Sequence, residues 1–322
     1  MVDIASVLGS MASLVVVTLL GYIAAKLGFL SAQVRPALSG LIFNITLPCT
    51  ILASVGEVDA SSGGDQIVWS IILGFALFFV MLGAAALACL VSRPQRAERN
   101  LYLFMGVLTN TGFIGFAVLE SIFGGGSVFL GSVFIAVSNV FLYSIGIAVL
   151  TSGSHDSDSA AARPTRRERL RTMLDNMLNA PLVVSLVAMV IFFAQLPVPA
   201  PIMQAADMAG GITSPLAMML VGLSIADADL KRVLGDVKLW VYTAVRFLVV
   251  PLAAYVLLAP VVPSKLALGI FIVMLAMPTG SMAGPIAATY GQSGETPARG
   301  TIVSTLASFA IVPVLCLVMS VG

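Results

Sequence analysis

The sequence predicts an all-α membrane protein of ten transmembrane helices, arranged as two inverted five-helix repeats whose fourth and ninth helices are broken and cross. Three observations predict it. The chain is 59% hydrophobic and only 10% charged, with a mean hydropathy of +1.06, far from the balance of a soluble domain. Ten apolar runs approach or exceed the roughly 20 residues a helix needs to cross a hydrocarbon core about 30 Å thick. Three segments of the first half recur in the second at an offset of about 167 residues.

The ten runs cover residues 4–28, 36–56, 66–92, 100–123, 127–151, 178–196, 203–226, 237–259, 265–290 and 297–321. Strand-like alternation with regular turn signals is absent, which excludes a membrane barrel. The first run has no basic stretch before it, follows Asp3 and exceeds a signal-peptide core, so it reads as a retained span. Cys49, Cys89 and Cys316 fall inside separate spans, and the only histidine, His155, sits in a polar loop. Neither a disulfide framework, a metal set nor a cofactor is expected from such spacing.

Cations sort by connection. The odd connections hold Lys26 and Arg35; Arg93, Arg96 and Arg99; Arg163, Arg166, Arg167, Arg169 and Arg171; Lys231, Arg232 and Lys238; and Arg299. The even connections hold Lys265 alone. The positive-inside rule therefore puts both termini outside and the central loop in the cytoplasm. Residues 1–151 form the first repeat, 152–177 a linker and 178–322 the second repeat. Within the linker, "RRERLRTMLDNML" reads either as a short interfacial helix held by anionic headgroups or as a solvated basic loop.

The recurrence is carried by three pairs. "NITLPCTILASVG" from Asn44 meets "GITSPLAMMLVGL" from Gly211, with Pro48 over Pro215. "NTGF" at Asn110 meets "PTGS" at Pro278, and Gly124 of "IFGGG" meets Gly291 of "TYGQS". Five spans per half is an odd number, so the second half starts from the opposite side and the repeats are inverted. In transporters of that symmetry, substrate binds near the midplane at discontinuous helices.

The fourth and ninth spans fit. "GVLTNTGFIGFA" places Asn110, Thr111 and Gly112 at the centre of one, and "MLAMPTGSMAGP" places Pro278, Thr279, Gly280 and Ser281 at the centre of the other. Proline lacks an amide hydrogen and crowds the preceding turn, while glycine permits the angles a break needs. Two new half-helix N-termini at mid-depth would aim free amides and the positive dipole end at the crossing, a receptor for a carboxylate. Asn110, Thr111, Thr279 and Ser281 add side-chain donors, with Asn139 of the fifth span as another. The alternative is that these small polar residues only let helices pack closely. Arg246, mid-way along the eighth span, either draws an anion or pairs with an acid, or snorkels to the cytoplasm. Glu120 and Asp207 lie toward the outward ends of their spans, and no acidic pair sits beside the crossing, which argues against an obligate sodium/proton antiporter.

"LPCTILASV" at Leu47, "NTGFIG" at Asn110, "SPLAMMLVGLSI" at Ser214, "AMP" at Ala276 and "TYG" at Thr289 resemble, in order and along the whole chain, the auxin efflux carrier family of secondary transporters. That family includes bacterial carriers of dicarboxylates such as malate and malonate. The resemblance implies a fold like that of sodium/proton antiporters and bile-acid symporters, with a homodimer formed through the second and seventh spans. It also implies a static scaffold of the first, second, sixth and seventh spans, against which the other six move like an elevator. The family's fourth span commonly carries a proline just after the matched segment; here Phe116 and Ala117 stand there, so the break rests on Thr111, Gly112 and Gly115. A substrate contact carries over onto Asn110, with Asn44, Pro48 and Pro215 in supporting places. The short central loop resembles the bacterial members, which implies a bacterial inner membrane.

The function expected is carriage of an organic anion, either a carboxylate or dicarboxylate or an auxin-like acid, with the coupling ion, proton or sodium, left open. A sodium-coupled bile-acid-like symporter is the alternative, followed by a non-transporting sensor or structural protein. An embedded enzyme is disfavoured because no His, Cys or acid cluster shares a depth. The expected partners are the small anion, the lipid bilayer and a second copy of the chain, not nucleic acid.

Overall fold

The computed structural model describes residues 4–58, 63–151, 179–228 and 233–321. In chain order the helices are α1 Ile4–Lys26, α2 Ala32–Glu57, α3 Gly63–Ser92, α4 Arg99–Val107, α5 Thr111–Phe123 and α6 Gly126–Thr151. They continue as α7 Ala180–Ala194, α8 Ala200–Ala226, α9 Val237–Leu258, α10 Lys265–Ala276, α11 Ala283–Thr289 and α12 Glu295–Val321. Among the described residues, seven helices are long and apolar enough to cross a membrane (α1, α2, α3, α6, α8, α9 and α12), and α5, α7 and α10 are apolar but shorter. No strand occurs among them beyond one isolated bridge. The central loop, with His155 and the basic segment read as an interfacial helix, lies outside the described residues, as do Lys231 and Arg232.

Both the fourth and the ninth apolar runs come in two pieces, α4 with α5 and α10 with α11. The fourth breaks fully despite its lack of proline: Leu108 has φ −85° and ψ 85°, and Asn110 has φ −84° and ψ 52°. In the ninth, Met277 turns extended, at φ −64° and ψ 139°, directly before Pro278. Two other prolines are absorbed without a break. Pro48 and Pro251 follow wide π-type turns at Ile42–Thr46 and Val245–Val249, where the carbonyl four residues back needs room from the ring.

Packing sorts the elements by depth. Every residue of α10 from Ala267 to Ala276 is buried, which suits a helix that is apolar all round. Around it stand helices whose outer faces expose large apolar side chains, such as Val16, Leu19 and Leu20 on α1, Phe75 and Phe79 on α3, and Val190 and Phe193 on α7. An apolar interior inside an apolar shell is the arrangement lipid favours and water opposes; the protein is an integral membrane protein.

Close approaches fix two of the contacts. A Cβ at Gly21 would fall 2.3 Å from the Met219 carbonyl, and one at Gly222 would fall 2.0 Å from that of Thr18, so α1 and α8 meet backbone to backbone. Helices α2 and α8 cross where the Thr50 and Thr213 hydroxyls lie 2.8 Å apart. At one end of the bundle Arg35 pairs with Asp227, Arg299 with Asp236 at 3.3 Å, and the Thr296 hydroxyl donates to Glu98 at 2.7 Å. At the other end Ser214 donates to Glu120 at 2.8 Å and Ser10 to the Ser121 carbonyl at 3.1 Å.

A helix crossing beside a polar cleft

The two interruptions lie against each other. Thr109 and Thr279 form an antiparallel bridge, in which the Asn110 amide donates to the Pro278 carbonyl at 2.7 Å and the Gly280 amide to the Leu108 carbonyl at 2.8 Å. Unpaired backbone in hydrocarbon costs several kcal/mol per group; here each break supplies the partners the other lacks. Side chains complete the joint. The Thr279 hydroxyl donates to the Met105 carbonyl at 3.2 Å, and the Thr279 amide donates to Ser304 Oγ at 3.0 Å, itself bonded to the Gly300 carbonyl. Thr301 Oγ1 lies 3.1 Å from the Gly280 carbonyl and 3.0 Å from that of Pro297.

Behind the joint lies Arg246, fully buried. Its Nε and Nη2 donate to the Gly106 carbonyl at 2.9 and 2.6 Å, and its Nη1 to the Leu275 carbonyl at 2.9 Å. Gly106 has to be glycine there, because a Cβ would come within 2.3 Å of the Tyr242 hydroxyl and 2.4 Å of the Ala85 side chain. Among the described residues Arg246 thus reaches neither an acid nor the solvent, two of the three roles its sequence position offered.

In front of the joint lies a cleft enclosing about 370 Å³, open volume included. Its polar lining is Asn110, Ser224, Ser281, Thr301 and Thr305; its apolar lining is Phe113, Ala217, Leu220, Val221, Ile225 and Ile302. The wide turn Thr111–Gly115 opens α5 beside this cleft, and its first return bond runs from the Gly115 amide to the Asn110 carbonyl at 3.0 Å. The amides of Thr111, Gly112, Phe113 and Ile114 consequently have no backbone partner among the described residues. Nor does the Asn110 side chain have a hydrogen bond there, although the residue is only 7% exposed. Its carboxamide atoms are not fully buried but open onto the cleft, where a bound ligand would meet them.

The sequence-predicted residues divide accordingly. Asn110, Thr111, Gly112, Pro278, Thr279, Gly280 and Ser281 all stand at the crossing, but only Asn110 and Ser281 of them line the cleft. Thr279 is fully buried, with its amide and hydroxyl both spent inside the joint. Asn139 is half-buried on α6 and is not part of the cleft lining. Asn44 is exposed and turned to its own Gly40 carbonyl at 3.0 Å, Pro48 is buried in α2, and Pro215 is exposed on α8. Sequence reasoning missed Ser224, Thr301 and Thr305. The i, i+4 spacing of Thr301 and Thr305 in an otherwise apolar span was the available signal.

The family model described as "Membrane transport protein" matches residues 6–316. Over 305 residues the chain is 23% identical to an uncharacterized transporter of Methanocaldococcus jannaschii, covering 92% of this chain and 94% of that one. With nearly its whole length matched, the chain belongs to the membrane transport protein family, the auxin efflux carrier family, and is an integral membrane transporter.

Proposed function

We propose that the protein is a secondary transporter that binds an organic anion in the cleft beside the crossing and carries it by alternating access. The observation that carries this reading is the unpaired Asn110 side chain that opens onto the cleft at the mouth of α5, next to four amides without backbone partners. Such donors, on the positive end of a helix dipole, suit a carboxylate. The apolar wall of Leu220, Val221 and Ile225 suits the carbon body of an organic acid rather than a bare inorganic ion. Cargo of this class includes dicarboxylates such as malate or malonate and acids such as indole acetate.

The cleft lies between α8 on one side and α5 with α12 on the other. This fits an elevator in which α1, α2, α7 and α8 stand still while the crossing and its neighbours move. Ten spans in two inverted repeats, divided as 1–151 and 178–322, account for the matched interruptions and for the positive φ of both Gly124, at 83°, and Gly291, at 74°. The same reading has both termini outside, a dimer through α2 and α8, and residence in a bacterial inner membrane.

The test is uptake of labelled mono- and dicarboxylates into proteoliposomes containing wild type, Asn110→Ala or Pro278→Ala. Loss of uptake in the variants with retained folding supports the site. Wild-type rates in both remove it.

A further inference from the structure

Arg246 raises a question that the cleft does not answer: why a guanidinium is held in the driest part of the molecule. A charged side chain at the centre of a membrane helix is expensive to insert and is usually kept for function. Among the described residues no carboxylate pairs with it; its partners are the carbonyls of Gly106 and Leu275. Those two residues share a place in the fold, the last turn of α4 and the last turn of α10. The carbonyls of such a turn lack the amides a further helical turn would supply and carry the equivalent of about half a negative charge, so two together sum to about one, which a single guanidinium offsets.

The consequence reaches the cleft. Helices α4 and α10 end at the joint, and Asn110 follows the end of α4 by three residues, so uncompensated carboxyl ends would set a negative field beside the amides of α5. We propose that Arg246 is the positioning residue of the anion site. It cancels the negative ends of both interrupted helices and ties them together, leaving the anion to meet only the positive end of α5. This rests on the transporter reading above. Arginine suits the task because its planar fork donates to two carbonyls at once, as Gly106 and Leu275 require, whereas an ammonium is a single point charge.

Charge and fork can be separated. Arg246→Lys keeps the charge and loses the fork; Arg246→Gln loses the charge. Tyr242 on the same helix interacts with Arg246, and Tyr102 on α4 and Cys89 on α3 interact with Tyr242 in turn; all three are uncharged at neutral pH. Buried lysine sheds its proton far more readily than arginine does, so R246K offers a titratable version of the same site.

The experiment measures KM and Vmax for labelled malonate and labelled indole-3-acetate in proteoliposomes of the full chain, from pH 7 to 9.5. The expected result for R246Q is a KM raised tenfold or more. For R246K it is a KM within about threefold of wild type at pH 7 that climbs toward the R246Q value as pH rises, beyond any drift of wild type. A wild-type KM in folded R246Q, or no extra pH response in R246K, overturns the proposal. If R246Q does not fold, the pH response of R246K decides alone. Wild type that carries neither acid would instead defeat the transporter reading itself, a failure seen before any variant is compared.

Discussion

The amide of Asn110 donates to the carbonyl of Pro278 at 2.7 Å, joining the midpoints of two spans that lie 168 positions apart in the chain. The bond pairs one polar group from each break, and it leaves the Asn110 side chain unspent at the cleft. One residue therefore holds the joint with its backbone and faces the cleft with its side chain.

Removing that side chain should cost binding more than folding. A hydrogen bond to a charged group is worth about 1.5–3 kcal/mol, so Asn110→Ala should weaken carboxylate binding by roughly 10- to 100-fold with little change in melting temperature. Ligand-induced thermal shifts of the purified protein measure both, since a ligand that prefers the folded form raises its apparent stability. A fall in basal melting temperature with unchanged affinity would move Asn110 out of the site.

The crossing should behave as one rigid body. Thr109 and Thr279 form the non-hydrogen-bonded pair of their bridge, a position with Cα atoms about 4.5 Å apart, within disulfide range. In a background without Cys49, Cys89 and Cys316, T109C/T279C should oxidise readily and retain most of its uptake. Uptake abolished by oxidation and restored by reductant would mean that the joint opens during transport.

A link between α5 and α8 should do the opposite. Glu120 on α5 accepts from Ser214 on α8 at 2.8 Å, a contact between the mobile and static bodies of the elevator reading. Cysteines at both positions, bridged by a short bis-thiosulfonate, should stop uptake reversibly. Full activity in the bridged protein would exclude sliding of α5 past α8.

The Ser304 hydroxyl is the acceptor for the Thr279 amide at 3.0 Å. Ser304→Ala leaves that amide unpaired in a dry joint at a cost of about 1–3 kcal/mol. Faster hydrogen exchange should appear in peptides spanning 277–281 while α10 keeps its protection. Exchange unchanged at 277–281 would show that another group takes over the bond.

The α1–α8 contact should tolerate no side chain at Gly222, where a Cβ would approach the Thr18 carbonyl to 2.0 Å. Backbone cannot yield as a flexible side-chain tip would, so Gly222→Leu should cost about 1–3 kcal/mol or more and lower the melting temperature by several degrees in detergent. Gly9 on the same α1 meets nothing within 4 Å, and Gly9→Ala should leave the melting temperature unchanged. A wild-type melting temperature in Gly222→Leu would show that the two helices are not held at this distance.

The sequence by itself determined the helical membrane class and the location of the two interruptions. Pro278 has no amide to donate, and Asn110, Thr111 and Gly112 are poor helix formers wherever they occur; these are properties of residues, readable one at a time. What the interruptions do for each other, and which groups Arg246 bonds, came only from the packing. The partners of Arg246 are the carbonyls of Gly106 and Leu275, and a carbonyl is the same group on every residue, so no pattern of letters points to it. Thr301 makes the same point from the other side. Its hydroxyl lies within reach of its own helix, at Pro297, and of the crossing, at Gly280. A threonine in an apolar span can satisfy itself locally, and only the packing of α12 against the joint turns it toward the cleft.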